Sequence, residues 1–182
     1  MTFAFNLDGM ISFASCVALG ASFTVTGCVA TDTIEFSPEQ NYPPSVVSQQ
    51  NAEYPLREIG QLNLDESLET ELPLEVIVRD PNVDQTLEYR IFLNSTTPPS
   101  AEFPILQGDI PPESGSVERP DTFNIPYTFL VPGRCNKIEL IVVGNFAGFV
   151  EPRRPAQEGD FDNVTWWVEI TDTDNPLTVG CR

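Results

Sequence analysis

The chain has 182 residues, with 27 acidic side chains against nine basic ones, no histidine and a formal net charge of -18. Phosphate neutralisation needs clustered cations, so no nucleic-acid partner is expected, and without histidine neither a His-based catalytic triad nor a His-ligated metal can form. A hydrophobic content of 41% and 12 Phe are enough for one core at a length suited to one domain, which argues against disorder throughout.

In chain order, the first feature is an uncharged run at residues 9 to 27, GMISFASCVALGASFTVTG. Its Ser, Thr and Gly interruptions suit a cleaved leader better than a membrane span. The competing reading is a buried strand or helix of the domain. The run ends at Val25-Thr26-Gly27-Cys28, which resembles the lipobox of Gram-negative bacterial lipoproteins, where a small residue precedes the cysteine that is lipidated and becomes N-terminal. Met1 to Asp8 departs from an export signal in carrying no Lys or Arg. The resemblance implies a signal peptide over 1–27, lipidation at Cys28 and a membrane partner reached through that lipid. With Val29 after the cysteine where Asp would signal retention, it also implies sorting to the outer membrane, on either face.

Residues 28–44 read as a polar, Pro-containing tether, and a folded domain is expected over 45–182, opening with a strand near Ser45 to Ser48. Leu72, Leu74, Val76 and Val78 alternate with other residues, as do Leu87, Tyr89, Ile91 and Leu93, the period of two of a strand with one buried face. The turn-forming segment from Asp80 to Thr86 should join these runs as a hairpin or as an arch between sheets. Residues 94–122 are rich in Pro and read as a long loop holding at most one short edge strand around Phe103, Ile105 and Leu106. Alternation returns at Phe123, Ile125, Tyr127 and Phe129, then at Ile138, Leu140 and Val142, and last at Val164, Trp166, Val168 and Ile170. No stretch repeats apolar residues at helical spacing. The expected fold class is all-β, a single antiparallel β-sandwich of about seven strands. LEVIVRDPNVDQTLEYRIFLN at 74–94, with NYPPSVV at 41–47, is similar to the strand-turn-strand segments of immunoglobulin-like and cadherin-like bacterial modules, which implies an immunoglobulin-like sandwich. The antibody signature of two inter-sheet cysteines flanking a buried Trp is absent.

Four cysteines divide three ways. Cys16 leaves with the leader, Cys28 takes lipid, and Cys135 and Cys181 remain to pair in an oxidising compartment. A strand starting after Cys135 and an antiparallel partner ending before Cys181 would bring the two together at one pole. The rival reading is a reactive thiol at Cys135, flanked by Arg134 and Lys137, but no histidine is present to act as its base.

Between those strands lies the segment 144–163, GNFAGFVEPRRPAQEGDFDN, expected as a long loop at the opposite pole and as the surface where binding resides. Phe149, Arg153 and Arg154 are its candidate contact residues. The two arginines can grip a carboxylate, a phosphate or an anionic sugar, or can pair with Glu151, Glu158 or Asp160 to steady the loop. On a strand Trp166 shares parity with Val164, Val168 and Ile170 and belongs in the core, which leaves Trp167 as a further contact or as packing under the loop.

Asp80, Asn82 and Asp84 have the alternating oxygen spacing of a calcium loop. Gln85 and Ile91 stand where an EF-hand needs Gly and Glu, so only a cadherin-style site fits, and an Asp-Pro-Asn turn bonded to its own backbone is the alternative. Asp160 and Asp162, or Asp172 and Asp174, share the spacing. A pair of carboxylates can also serve glycoside hydrolysis, but no other feature points to a hydrolase, and no catalytic residue is assigned. Two Asn-x-Thr/Ser triplets, at Asn94 and Asn163, are incidental in a bacterial protein. The expected function is that of a lipid-anchored, non-enzymatic module, without cofactor unless calcium, that contacts an envelope protein or glycan.

Overall fold

The computed structural model describes residues 41–67, 69–94 and 103–181. The expected leader, Cys28 and the tether up to residue 40 lie outside the described residues. Eight strands follow in order: β1 (Ser45–Ser48), β2 (Ile59–Asn63), β3 (Glu71–Arg79), β4 (Leu87–Leu93), β5 (Leu106–Ile110), β6 (Glu118–Pro126), β7 (Arg134–Val143) and β8 (Phe161–Thr171). One turn of 3-10 helix, Tyr127–Phe129, follows β6. The strands form two sheets, one ordered β1-β3-β6 and the other β2-β8-β7-β4-β5. The fold is the expected all-β sandwich. It differs from the expectation in having eight strands, one of which, β2, runs parallel to its neighbour β8.

The alternation in the sequence becomes the two inner faces. Leu72, Leu74, Val76 and Val78 of β3 meet Leu87 and Ile91 of β4, Ile138, Leu140 and Val142 of β7, and Trp166, Val168 and Ile170 of β8 in one core, all of them buried. The segment 80–86 carries the chain from the first sheet to the second, so it is an arch and not a hairpin. Pro73 sits inside β3 without breaking it, for a reason that lies in the hydrogen-bond directions. Asp80 and Thr70, at either end of β3, exchange backbone bonds with the β6 side, so the even-numbered residues face β6 and Pro73 faces the other way. On that side β1 covers only Val76 to Arg79, and the missing N–H costs no ladder bond.

A second, smaller cluster forms on the outer face of the five-stranded sheet, where Phe92, Ile141 and Val143 are buried beneath Phe146. The segment between β7 and β8 produces it. That segment was expected to stand at the pole over 144–163, but β8 begins at Phe161, and residues 144–160 fold back over the outer face of β4 and β7. The turned-back loop buries three apolar residues that would otherwise face water.

The Cys135–Cys181 disulfide is present, with the Cα atoms 5.0 Å apart. It closes the pole where β7 begins. There Cys135 N–H donates to Val179 O and Thr178 N–H to Gly133 O, each at 2.8 Å, so the C-terminal segment is laid along the start of β7. Among the described residues, no helix is long and apolar enough to cross a membrane.

Candidate functional site

The loop 144–160 is built on a narrow stem. Phe146 and Pro155 form an isolated antiparallel bridge, Ala156 N–H donates to Asn145 O at 2.8 Å and Ala147 N–H to Arg154 O at 2.9 Å. The stem is fastened to the sheet by side chains of β4. Glu88 Oε2 accepts the Phe146 N–H at 3.0 Å. The buried Arg90 guanidinium donates to Gly148 O at 3.0 Å and to Pro152 O at 2.9 Å. Its carbon lies 4.0 Å from the Phe146 ring centroid and 5.0 Å from that of Phe149. Burial pulls the Arg90 pKa down and Glu88 opposes the fall. Carbonyls and ring faces are what a guanidinium can use when most of its water is gone.

The structure separates the two arginines that the sequence sets side by side. Arg153 lies 4.0 Å over the Phe92 ring and donates to Glu139 Oε2 at 2.7 Å. Lys137 approaches the same carboxylate at 3.5 Å. Burial works to raise the Glu139 pKa, but the hydrogen bond and charge of Arg153, with Lys137 and a hydrogen bond involving Asn163, hold it below its ordinary value. Arg154 points to solvent and pairs with Glu151 at 2.7 Å. At the tip, Phe149 and Val150 are 65% and 87% exposed. Beside Phe149 runs a groove of about 360 Å³ between the loop and the β4–β5 pair, walled by Glu88, Arg90, Gln107, Asp109 and Phe146.

Trp166 is buried, with Nε1 donating to Tyr54 O at 2.9 Å. Trp167 is 40% exposed and stands beside Ile59 of β2 and Lys137 of β7. It does not pack under the loop but lines a separate cleft of about 580 Å³ with Val46, Leu56, Arg57 and Val164.

Asp80 and Asn82 are brought together, around a guanidinium. Asp80 is wholly buried; its Oδ1 accepts the Asn82 N–H at 2.9 Å and its Oδ2 pairs with Arg119 at 2.8 Å. Arg119 also donates to Gln85 O at 2.7 Å and Asn82 O at 3.1 Å. The Asn82 amide donates to Tyr42 O and Asn41 Oδ1, both at 2.9 Å. The Asp-Pro-Asn turn is therefore bonded to its own backbone, as the alternative reading had it, and both Asp80 oxygens are engaged by protein donors. Burial raises the Asp80 pKa while Asn82 and Arg119 pull it back. Asp160 is buried at the same end, and its Oδ1 has no hydrogen-bond partner among the described residues. A Cβ at Gly144 would collide with the Asp160 carboxylate and the Gln85 amide, so glycine is needed where β7 meets the loop. Among the described residues, no group of three or more acidic or Cys side chains is placed to hold a metal ion.

Sequence reasoning missed Arg90, Glu139 and Phe146 as parts of this site. A signal was there: Phe92, Ile141 and Val143 are apolar at outward-facing positions of their strands, which marks an outer face that something covers.

No family model matches the chain and no curated protein does. Among solved structures it is similar to the fusolin spindles of Wiseana spp entomopoxvirus, with a TM-score of 0.33 and 11% identity over 66% of this chain. The match spans 44% of that protein's length, and a likeness of this size carries no argument about fold or function.

Proposed function

We propose that the protein is a non-enzymatic binding module of the bacterial envelope, held at the outer membrane by lipid on Cys28, and that it contacts an envelope protein or glycan through the loop 144–160. The observation that carries this reading is the exposed Phe149-Val150 tip on a loop whose stem is fixed by Arg90. Beyond the contact of the Phe149 ring with Arg90, folding gains nothing from an apolar tip held in water, whereas a partner that covers it gains the hydrophobic term without having to order the loop. The contact surface then consists of Phe149, Val150, Arg154 and the walls of the adjoining groove, with Arg153 supporting it from below.

The test is a Phe149→Ala, Val150→Ser double variant, assayed for association with envelope fractions and for thermal stability. Association should be lost while the melting temperature falls by at most about 4 °C, the loss expected from the Arg90–Phe149 contact. Retained association would move the contact to another face. The anchor is tested apart from the loop, by mass spectrometry of the mature N-terminus: a lipidated Cys28 is expected, and an unmodified Cys28 would refute that part alone.

A further inference from the structure

The second cleft lies at the opposite edge of the five-stranded sheet from β5 and carries an inference independent of the loop. β8 is paired with β7 along its length, from Phe161 to Ile170, but on its other side β2 covers only Trp167 to Thr171. Ile170 O accepts from Gly133, just before β7, and Thr171 O accepts from Leu64, just after β2. Even-numbered residues of β8 thus turn their backbone groups to β7 and odd-numbered ones turn theirs to the β2 side. Beyond the end of β2, Thr165 directs its N–H and C=O, and Asn163 its C=O, at an edge where the described residues place no strand. The Asn163 N–H is taken by Asp162 Oδ1 at 2.8 Å. Asp162 Oδ2 reaches across to Val46 N–H of β1 at 2.7 Å, which ties the two sheets at that end and closes the cleft there.

We infer that this cleft takes an extended peptide segment of a partner protein, added as a strand beside Asn163 to Trp167 in line with β2. Among the described residues no strand pairs with these groups of Thr165 and Asn163, and they demand alternating backbone donors and acceptors, which an extended chain supplies and an acyl chain does not. About four residues of open edge span on the order of 13 Å. Guest side chains pointing inward would meet Val46, Leu56 and Val164, and those pointing outward would lie along Thr165 and Trp167. Arg57 marks the mouth. It lines the cleft at a backbone φ of 74°, a left-handed conformation that a long unbranched side chain rarely adopts, and its charge suits an acidic residue of the guest. A second copy of this chain is disfavoured as the guest, because each copy brings a net charge of -18.

The probe is a synthetic peptide of about six residues that alternates Val and Thr and carries one Glu. Titrated into the full-length protein, it should bind, perturb Trp167 fluorescence and slow hydrogen exchange at the Thr165 amide. Thr165→Pro removes a donor that faces away from β7, so the β7 ladder survives, and it should weaken binding about tenfold or more. Should that variant not fold, the same peptide N-methylated on alternate amides replaces it and should bind equally poorly to the wild type. Arg57→Glu should reverse the preference to a peptide carrying Lys in place of Glu. Absence of binding at millimolar peptide, or binding indifferent to both Thr165→Pro and N-methylation, overturns the inference. So does a Thr165 amide already protected in the free monomer, since the chain's own segment would then cover the edge. Concentration-dependent dimerisation lost in Thr165→Pro would assign the edge to a second copy and overturn it as well.

Discussion

Changing Arg153 and Arg154 to alanine separately should divide two neighbouring arginines into one that holds the fold and one that does not. Arg153 is 31% exposed and shares Glu139 with Lys137. Removing it deletes a hydrogen bond between charged groups, worth roughly 1.5–3 kcal/mol, and a cation–π contact with Phe92, worth roughly 0.5–1 kcal/mol at a half-exposed site. Lys137 remains at 3.5 Å from the carboxylate and recovers part of the first term, so a net loss of about 2 kcal/mol is expected. For a domain of this size that lowers Tm by about 4–8 °C. Arg154 is fully exposed and pairs only within the loop, so its alanine variant should melt with the wild type. The assay is thermal unfolding of the oxidised protein followed by circular dichroism, with a Glu139→Gln background to close a double-mutant cycle. Equal melting of both variants, or no coupling between Arg153 and Glu139, would refute the reasoning, because the stacked and paired Arg153 would then contribute nothing that an exposed arginine does not.

The same carboxylate gives a pH dependence. Because the folded pKa of Glu139 is depressed, its stabilisation is complete above the ordinary Glu value and is lost as pH falls through the depressed one; the gap in Tm between wild type and Glu139→Gln should close on acidification. Arg119→Met strands the wholly buried Asp80 and should cost roughly 3–5 kcal/mol at neutral pH. With its pKa raised by burial, Asp80 can then be protonated, so denaturant melts should show the deficit shrink as pH falls. Reducing the disulfide, whose cysteines are 46 residues apart, should lower stability by up to about 4 kcal/mol on the chain-entropy estimate. Residues after Asn175 should be the first to gain hydrogen exchange on reduction, since Val179 and Thr178 are held to β7 beside the bond.

The strands with apolar alternation were legible because a period of two has one structural outcome when one face is buried: β3, β4, β7 and β8 lie where apolar residues alternate. β6 was legible only at Phe123 and Ile125; it begins at Glu118, inside the segment read as loop, and Tyr127 and Phe129 of the expected run fall in the 3-10 turn after it. The inward turn of Trp166 follows from the same parity, and the pairing of Cys135 with Cys181 from the pole at which the strand order brings their segments together. β2 was not legible, and β5 only as a possible edge strand. Each contains a glycine that reads locally as a turn, and in each a tyrosine ring crosses the strand there. A Cβ at Gly60 would lie 2.6 Å from Tyr54 Cδ1, and one at Gly108 would lie 2.9 Å from Tyr89 Cε1. Glycine is thus the residue that lets an aromatic ring cover a strand, a reason visible only when the distant tyrosine is in place. The return of the loop onto the sheet was hidden for a related reason. It depends on Arg90, which in a one-dimensional pattern is only a polar residue at a polar position.

The basic residues explain how so acidic a chain folds and what its surface offers. Of nine Lys and Arg, Arg119 is sealed at one end of the core, Arg90 beneath the loop, and Arg153 with Lys137 around Glu139. These cations bind carbonyls, ring faces and buried carboxylates, so they hold segments together without neutralising the outer surface. The chain's net charge of -18 keeps the field outside the domain negative. In such a field a hydrophobic tip at Phe149 and Val150 resists self-association, since a second acidic copy is repelled before the tips can meet, and the same tip stays available to a neutral or basic partner. On the proposed reading of the tip as a contact, the acidity filters which partners reach it, and Arg90 and Arg153 hold the loop from below.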